Sequence, residues 1–276
     1  MAAAINADLN DDRVAPVAIV TGAARGIGAA TARRLARDGW KLVLVDRCAD
    51  DSALSYPLST TADLDETVRA CGGDGSAVGV VADVRDQSAL DSAVAAALDR
   101  FGGLDAAVAV AGCIAGGVVG WAIPDEMWTT VMAVNLEGPW RLAKAAVPAL
   151  LARPEPRRGR FLAVASAGGA VGLPLLAAYC AAKSGVAGLV RSLAAELGQH
   201  GITANAVAPG STATAMLDAS APVYGLKDTE EFATHHFLRR LLVADEPAGL
   251  LAWLCGPDSS GITGAVIPVD GGMTAG

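Results

Sequence analysis

Tyr179 and Lys183 stand four residues apart in the run Tyr179-Cys180-Ala181-Ala182-Lys183, shortly after a lone Ser166 at the end of an apolar stretch. If the run is helical, the phenol and the ammonium share one face. A phenol titrates near pH ~10 in water, and a cation held beside it favours the phenolate, so the pair could move a proton at working pH. Taken alone, the same spacing is also satisfied by two helical neighbours with no task. The elements that must position the pair decide between these readings.

The apolar, β-branched stretch 16–21 reads as a buried strand, and Gly22-Ala23-Ala24-Arg25-Gly26-Ile27-Gly28 breaks it and opens a helix to about residue 38. A second strand, 41–46, ends on Asp46. Strand, glycine turn, helix and strand in this order form the unit that binds a dinucleotide, because the glycines let the backbone approach a pyrophosphate whose charge the helix N-terminus meets. Asp46 stands where a carboxylate accepts from an adenosine ribose hydroxyl and repels a 2'-phosphate, which favours NAD over NADP. Arg25 and Arg47 lie close enough in sequence to work against that preference.

Beyond Asp46 the polar segment 47–61 is longer than a usual strand-to-helix loop, and it reads either as an inert surface insertion or as a flap over the adenosine end of the cofactor. A helix over 62–70 and a strand over 77–82 follow, ending at Asp83-Val84 beside where adenine would lie. Next come an Ala-rich helix, 87–101, and a strand, 104–111, that reaches Gly112, where a missing side chain lets the nicotinamide half pass close to the backbone. The long helical stretch 125–152 is interrupted near Asn135 and Gly138-Pro139. A fifth strand, 160–166, leads through a glycine-rich loop into the helix of Tyr179. A sixth strand, 203–208, stops at Pro209-Gly210. The mixed segment 211–245 carries Met216, Leu217, Tyr224, Leu226, Phe232 and Phe237, which read either as a lid over a hydrophobic substrate or as ordinary helix packing. A helix from about 247 to 255 and a seventh strand, 265–269, complete a parallel sheet with helices on both faces and no internal repeat.

At 276 residues and 53% hydrophobic composition, one large α/β unit over 14–276 is expected, with 1–13 as a frayed tail that lacks the basic and apolar regions of an export signal. No apolar run approaches the ~20 residues of a membrane-spanning helix, so a soluble protein is expected. The 21 basic and 29 acidic residues give a net charge of -8, and the densest basic cluster is Arg157-Arg158-Gly159-Arg160, which argues against nucleic acid. Five cysteines without a CxxC pair suit reduced thiols in a cytoplasm. Metal is not expected: His235 and His236 would point apart on a helix, and His200 stands alone.

With these residues assembled, the chain from about 14 to 273 resembles the short-chain dehydrogenase/reductase family. Thr21 to Gly28 matches the family's TGxxxGxG turn; Asn135, Ser166, Tyr179 and Lys183 fall on its catalytic Asn, Ser and YxxxK positions; and Pro209-Gly210 with Thr214 matches its PGxxxT nicotinamide clamp. One departure stands out. The usual NNAG after the fourth strand is Ala109-Val110-Ala111-Gly112, so the Asn that normally ties adjacent strands is Val110, and altered sheet support is expected beneath the site.

The resemblance implies a single Rossmann-type, doubly wound, seven-stranded sheet. It also implies hydride transfer between an alcohol and its ketone or aldehyde, with Tyr179 as acid or base and Ser166 donating to the substrate oxygen. Lys183 would lower the phenol's pKa and bind the nicotinamide ribose, and Asn135 would hold a water linking Lys183 to solvent. Cofactor contacts fall on Gly22, Arg25, Gly26, Ile27, Gly28, Asp46, Asp83, Val84, Gly112, Tyr179, Lys183, Pro209, Gly210, Thr212 and Thr214. Proteins of this kind pair Ala-rich helices such as 125–152 and 175–198 into dimers and tetramers.

Within the family, the insertion 47–64, the run Ala111 to Gly117, the run Ala178 to Lys183 and the run Pro209 to Met216 resemble a subgroup associated with mycofactocin, a peptide-derived redox carrier. That likeness implies an NAD that stays bound between turnovers and is re-oxidised in place. An ordinary dehydrogenase with exchanging NAD(H) and a non-catalytic NAD-binding protein are the alternatives, and the complete Ser166, Tyr179 and Lys183 set weighs against the last.

Overall fold

The structure, a computed structural model, describes residues 15–276; the expected tail at 1–13 lies outside them. Seven strands form one parallel sheet: β1 (Val17–Thr21), β2 (Lys41–Asp46), β3 (Ala77–Val81), β4 (Ala106–Ala109), β5 (Arg160–Val164), β6 (Thr203–Pro209) and β7 (Val266–Val269), in the order β3-β2-β1-β4-β5-β6-β7. Every pairing is parallel, from Ala18 opposite Leu42 and Ala106 to Val207 opposite Ile267. The strand order reverses between β1 and β4, and a crevice opens there beyond the carboxyl ends of the strands.

Side-chain alternation along the strands divides the core into two layers. Ile19, Val43, Ala107, Phe161 and Ala206 face α3 (Gln87–Phe101), α5 (Gly138–Leu151) and α6 (Ala177–Leu197). Their neighbours Val20, Leu44, Val108, Leu162 and Val207 face α1 (Gly26–Arg37), α2 (Thr61–Ala70) and the helix Asp245–Cys255. Both faces of β1, β4 and β5 are fully buried, which is why these strands read as unbroken apolar runs.

The strands that bear the site are shorter than expected. β4 stops at Ala109 and β5 at Val164, because the chain leaves the ladder there to wall the crevice. The helix expected from residue 247 begins at Asp245, since Pro247 fits a first turn whose N–H groups need no intrahelical acceptor. Asp125–Met132 (α4) and α5 are joined by a π-helical turn, Ala133–Glu137, at the expected interruption. The basic cluster is split: Arg158 is exposed, whereas Arg160 is 2% exposed and spends its guanidinium on the carbonyls of Arg158, Gly159 and Gly256. No helix among the described residues is long and apolar enough to cross a membrane.

Candidate active site

Tyr179 and Lys183 occupy the first two turns of α6, and both are buried. Lys183 Nζ lies 5.8 Å from the centroid of the Tyr179 ring and donates to the Val164 carbonyl at 2.8 Å, which fixes it against the end of β5. Ser166, two residues beyond β5, accepts from the Gly168 N–H at 3.1 Å and lines the same cavity as the Tyr179 phenol. Burial raises the phenol's pKa, and the nearby Ser166 hydroxyl opposes that rise without cancelling it. Burial also pushes the Lys183 ammonium down to about 8. The depression of the phenol expected from Lys183 is therefore outweighed here: both groups sit in a dry pocket, and the ammonium is directed at a backbone carbonyl.

Asn135 sits in the π-helical turn and is fully buried. Its Nδ2 donates to the carbonyls of Cys113 and Val131, each at 2.9 Å, and its Oδ1 accepts from the Cys113 N–H at 3.3 Å. The amide thus fastens the loop after β4 to the α4–α5 helix. A Cβ on Gly112 would stand 3.0 Å from Asn135 Oδ1 and 3.7 Å from Lys183 Nζ, so Gly112, Asn135 and Lys183 meet at one point. At Val110, where the usual Asn side chain is absent, Thr21 Oγ1 accepts from the backbone N–H groups of Val110 and Ala111 at 3.2 and 3.3 Å, joining β1 to the chain after β4 at the strand-order reversal.

One cavity of about 1060 Å³ runs along this crevice. Every residue expected to touch the cofactor lines it, from Gly22 through Asp46, Asp83 and Val84 to Thr214, as does Ser166, whereas Asn135 lies beneath the wall. Gly22 has φ +66°, and a Cβ there would stand 2.7 Å from Ala111 Cα. α1 begins without a side-chain cap or an acidic residue in its first turn, leaving its N–H groups to an incoming anion. The donor set and the cradle therefore fit a dinucleotide.

At the adenosine end, the Asp46 carboxylate accepts from the Ala24 N–H, the Cys48 N–H and the Ser59 hydroxyl at 3.0, 3.3 and 2.5 Å. The two arginines that could have favoured a 2'-phosphate are engaged: Arg25 donates to the Pro57 carbonyl at 2.9 Å, and Arg47 pairs with Asp51 and Asp83. Burial acts to raise the Asp83 carboxyl, but hydrogen bonds from Arg85 outweigh it and hold the group below its ordinary range.

The insertion lines the cavity through Leu54, Tyr56, Leu58 and Ser59. Asp51 pairs with Arg85 at 2.9 Å on one side of the crevice, and the Tyr56 hydroxyl accepts from the Ile114 N–H at 3.0 Å on the other. Tyr56 also packs into the apolar cluster that contains Tyr179. Sequence reasoning did not assign Tyr56, Ser59, Arg85 or Thr21 to the site; the length of the insertion was the signal for the first two.

At the substrate end the wall is apolar, with Leu173, Leu176, Met216, Tyr224 and Phe232. Tyr224 donates to the Pro174 carbonyl at 3.0 Å and meets Phe232 edge-on, with ring centroids 5.8 Å apart. Phe237, grouped with these residues by sequence, is 64% exposed and lies against Gly272 and Gly276. His235 lines the cavity, whereas His236 is buried behind it.

This arrangement of crevice, glycine turn and Ser–Tyr–Lys set has counterparts. A family profile described as Enoyl-(Acyl carrier protein) reductase matches residues 22–274. An uncharacterized NAD-dependent oxidoreductase of Mycobacterium tuberculosis is 38% identical over 93% of this chain and 94% of its own length. The (-)-trans-carveol dehydrogenase of Rhodococcus erythropolis is 36% identical over 94% of this chain and 97% of its own. Among solved structures, carveol dehydrogenase from Mycobacterium avium in complex with NAD superimposes with a TM-score of 0.86 at 34% identity, covering 96% of this chain and 99% of that one. The chain belongs to the short-chain dehydrogenase/reductase family, whose members are nicotinamide-dependent oxidoreductases.

Proposed function

We propose that this protein is an NAD-dependent oxidoreductase that interconverts a hydrophobic alcohol and its ketone or aldehyde, holding its NAD tightly and passing electrons to a mycofactocin-type carrier. The observation that carries the reading is the convergence of Ser166, Tyr179 and Lys183 on a cavity that joins a dinucleotide cradle to an apolar chamber. NAD, when bound, supplies the hydride acceptor. In the oxidative direction Tyr179 takes the alcohol's hydroxyl proton, and Ser166 donates to the same oxygen and holds it against the phenol. Lys183, neutralised more readily than an exposed lysine, stands beside the phenol and favours its anion while it carries its charge. The uncharged chamber around Leu176 and Phe232 fits an apolar substrate, in keeping with the carveol dehydrogenases among the relatives.

Retention of NAD is supported by the insertion. Its Tyr56 reaches the Ile114 N–H on one side of the crevice, while Ser59 on Asp46 and Asp51 on Arg85 brace it on the other, so the insertion lies along the cavity where a dinucleotide would be held. The test is extensive dialysis, followed by denaturation and identification of the released nucleotide, with turnover assayed with and without an artificial electron acceptor. Retained NAD and turnover only with the acceptor are expected. Nucleotide lost on dialysis, with turnover restored by adding free NAD, would identify an ordinary exchanging dehydrogenase.

Alcohol oxidation needs the Tyr179 phenolate, and burial shifts the phenol upward. Oxidation is therefore expected to keep accelerating with rising pH up to and beyond about pH 10, while carbonyl reduction, which needs the protonated phenol, stays level until that range is reached and then falls. Parallel pH profiles in the two directions would contradict the assignment of Tyr179.

We further propose assembly into a dimer or tetramer through α4, α5 and α6. Trp128 and Trp140 on the first two of these helices are 43% and 45% exposed, and burying such aromatics favours association. Light scattering after size-exclusion chromatography is expected to give a multiple of 27.6 kDa; a monomer mass at micromolar concentration would count against it.

A further inference from the structure

The segment that closes the substrate end finishes on a histidine that does not face the cavity. His236 follows the 3-10 turn Thr229–His235 and is 0% exposed. Its Nε2 accepts from the Ser211 N–H at 3.0 Å, and its Nδ1 lies 2.8 Å from the Arg240 carbonyl oxygen. A carbonyl can only accept, so Nδ1 carries the ring proton and Nε2 keeps the lone pair that Ser211 needs. The ring is wedged between two glycines: a Cβ on Gly210 would stand 2.9 Å from Nε2, and one on Gly271 2.9 Å from Nδ1.

Ser211 leads directly into Thr212 and Thr214, which line the cavity. The same loop is bound to Leu242, whose N–H donates to the Ser211 carbonyl at 3.0 Å and whose carbonyl accepts from the Ala213 N–H at 2.8 Å. Three hydrogen bonds therefore hold the 210–214 loop to the 236–242 segment, and His236 supplies the side-chain one. Immediately upstream, Phe232 and His235 line the cavity. One short stretch thus walls the chamber with its leading half and grips the loop with its trailing half. The charged groups packed nearby are already spent, Asp270 on Gly272 and Thr274 and Glu246 on Arg240, so the imidazole's partners are backbone alone.

We propose that His236 is a positioning residue that sets the 210–214 loop against the nicotinamide and couples that loop to the lid, a role that rests on reading the loop as the nicotinamide clamp. Replacement by Phe keeps an aromatic ring but leaves the Ser211 N–H and the Arg240 carbonyl unpaired in a dry site. Replacement by Gln restores one acceptor and one donor on a single planar group.

The experiment compares His236→Phe and His236→Gln for kcat, KM, NAD retained through dialysis and melting temperature, and records the 15N ring signals of the three histidines in the unmodified protein. His236→Phe is expected to lose NAD on dialysis and to drop about tenfold in kcat/KM, with His236→Gln recovering most of both. One ring is expected as the Nδ1–H tautomer at neutral pH, its signal absent from His236→Gln. The proposal is overturned if His236→Phe lowers only the melting temperature, if Gln rescues nothing, or if the ring proves to be protonated at Nε2. Should His236→Phe fail to fold, the tautomer and the Gln variant decide. Tyr179→Phe, run alongside, keeps the two readings apart: its inactivity with an unaffected His236→Phe removes the positioning role and leaves the hydride-transfer reading in place.

Discussion

Tyr179→Phe is expected to lower turnover by about 10²- to 10⁴-fold, the range that a positioned acid–base group contributes, without loss of NAD or of stability. The ring is embedded in the cluster of Ile114, Val131, Leu176 and Ala178, and Phe preserves those contacts while removing the one atom that can exchange a proton with the substrate. Ser166 keeps its bond from the Gly168 N–H, so the second donor of the site stays in place. Steady-state kinetics, bound-nucleotide analysis and a thermal melt on one preparation separate the outcomes. A variant that keeps more than about a tenth of the turnover would remove Tyr179 from the mechanism.

Gly28→Ala is expected to act through the fold and to abolish cofactor binding. A Cβ there would stand 2.0 Å from the Gly22 carbonyl oxygen and 2.7 Å from its carbonyl carbon. Both are backbone atoms of the turn, so no rotamer change relieves the overlap, and the start of α1 must move away from β1. The expected cost is about 3 kcal/mol, with NAD absent from the purified protein because the turn no longer presents its N–H groups. Gly188→Ala is the matched control. That glycine lies inside α6 with nothing within 4 Å of a new Cβ, so the same substitution is expected to stabilise the protein by about 0.5–1 kcal/mol. Urea unfolding and nucleotide analysis check both; a Gly28→Ala protein that folds normally and carries NAD would contradict the close-packed turn.

Much of the candidate site was legible because its spacing is local. Tyr179 and Lys183 meet through the helical repeat, and Gly22 to Gly28 announce a turn because only glycine tolerates that backbone and that proximity. The seven-stranded parallel sheet followed from alternation of apolar runs with amphipathic helices. The strand ends were less legible, since departure from the ladder at Ala109 and Val164 leaves no mark in an apolar run.

The motifs of this chain, by their resemblance to the family's, pointed to its family, and the spacing of its residues pointed to a dinucleotide cradle and a candidate proton-transfer pair, because each depends on residues near one another along the chain. Tertiary structure decided what depends on residues far apart: that Ser59 reaches Asp46, that Tyr56 crosses to Ile114, that Thr21 holds the backbone at Val110, and that His236 turns from the lid to grip Ser211. It also reversed the electrostatics of Tyr179. Proximity to a lysine can be read from spacing, but burial is a property of the whole fold, and in this pocket burial is the larger influence on the phenol.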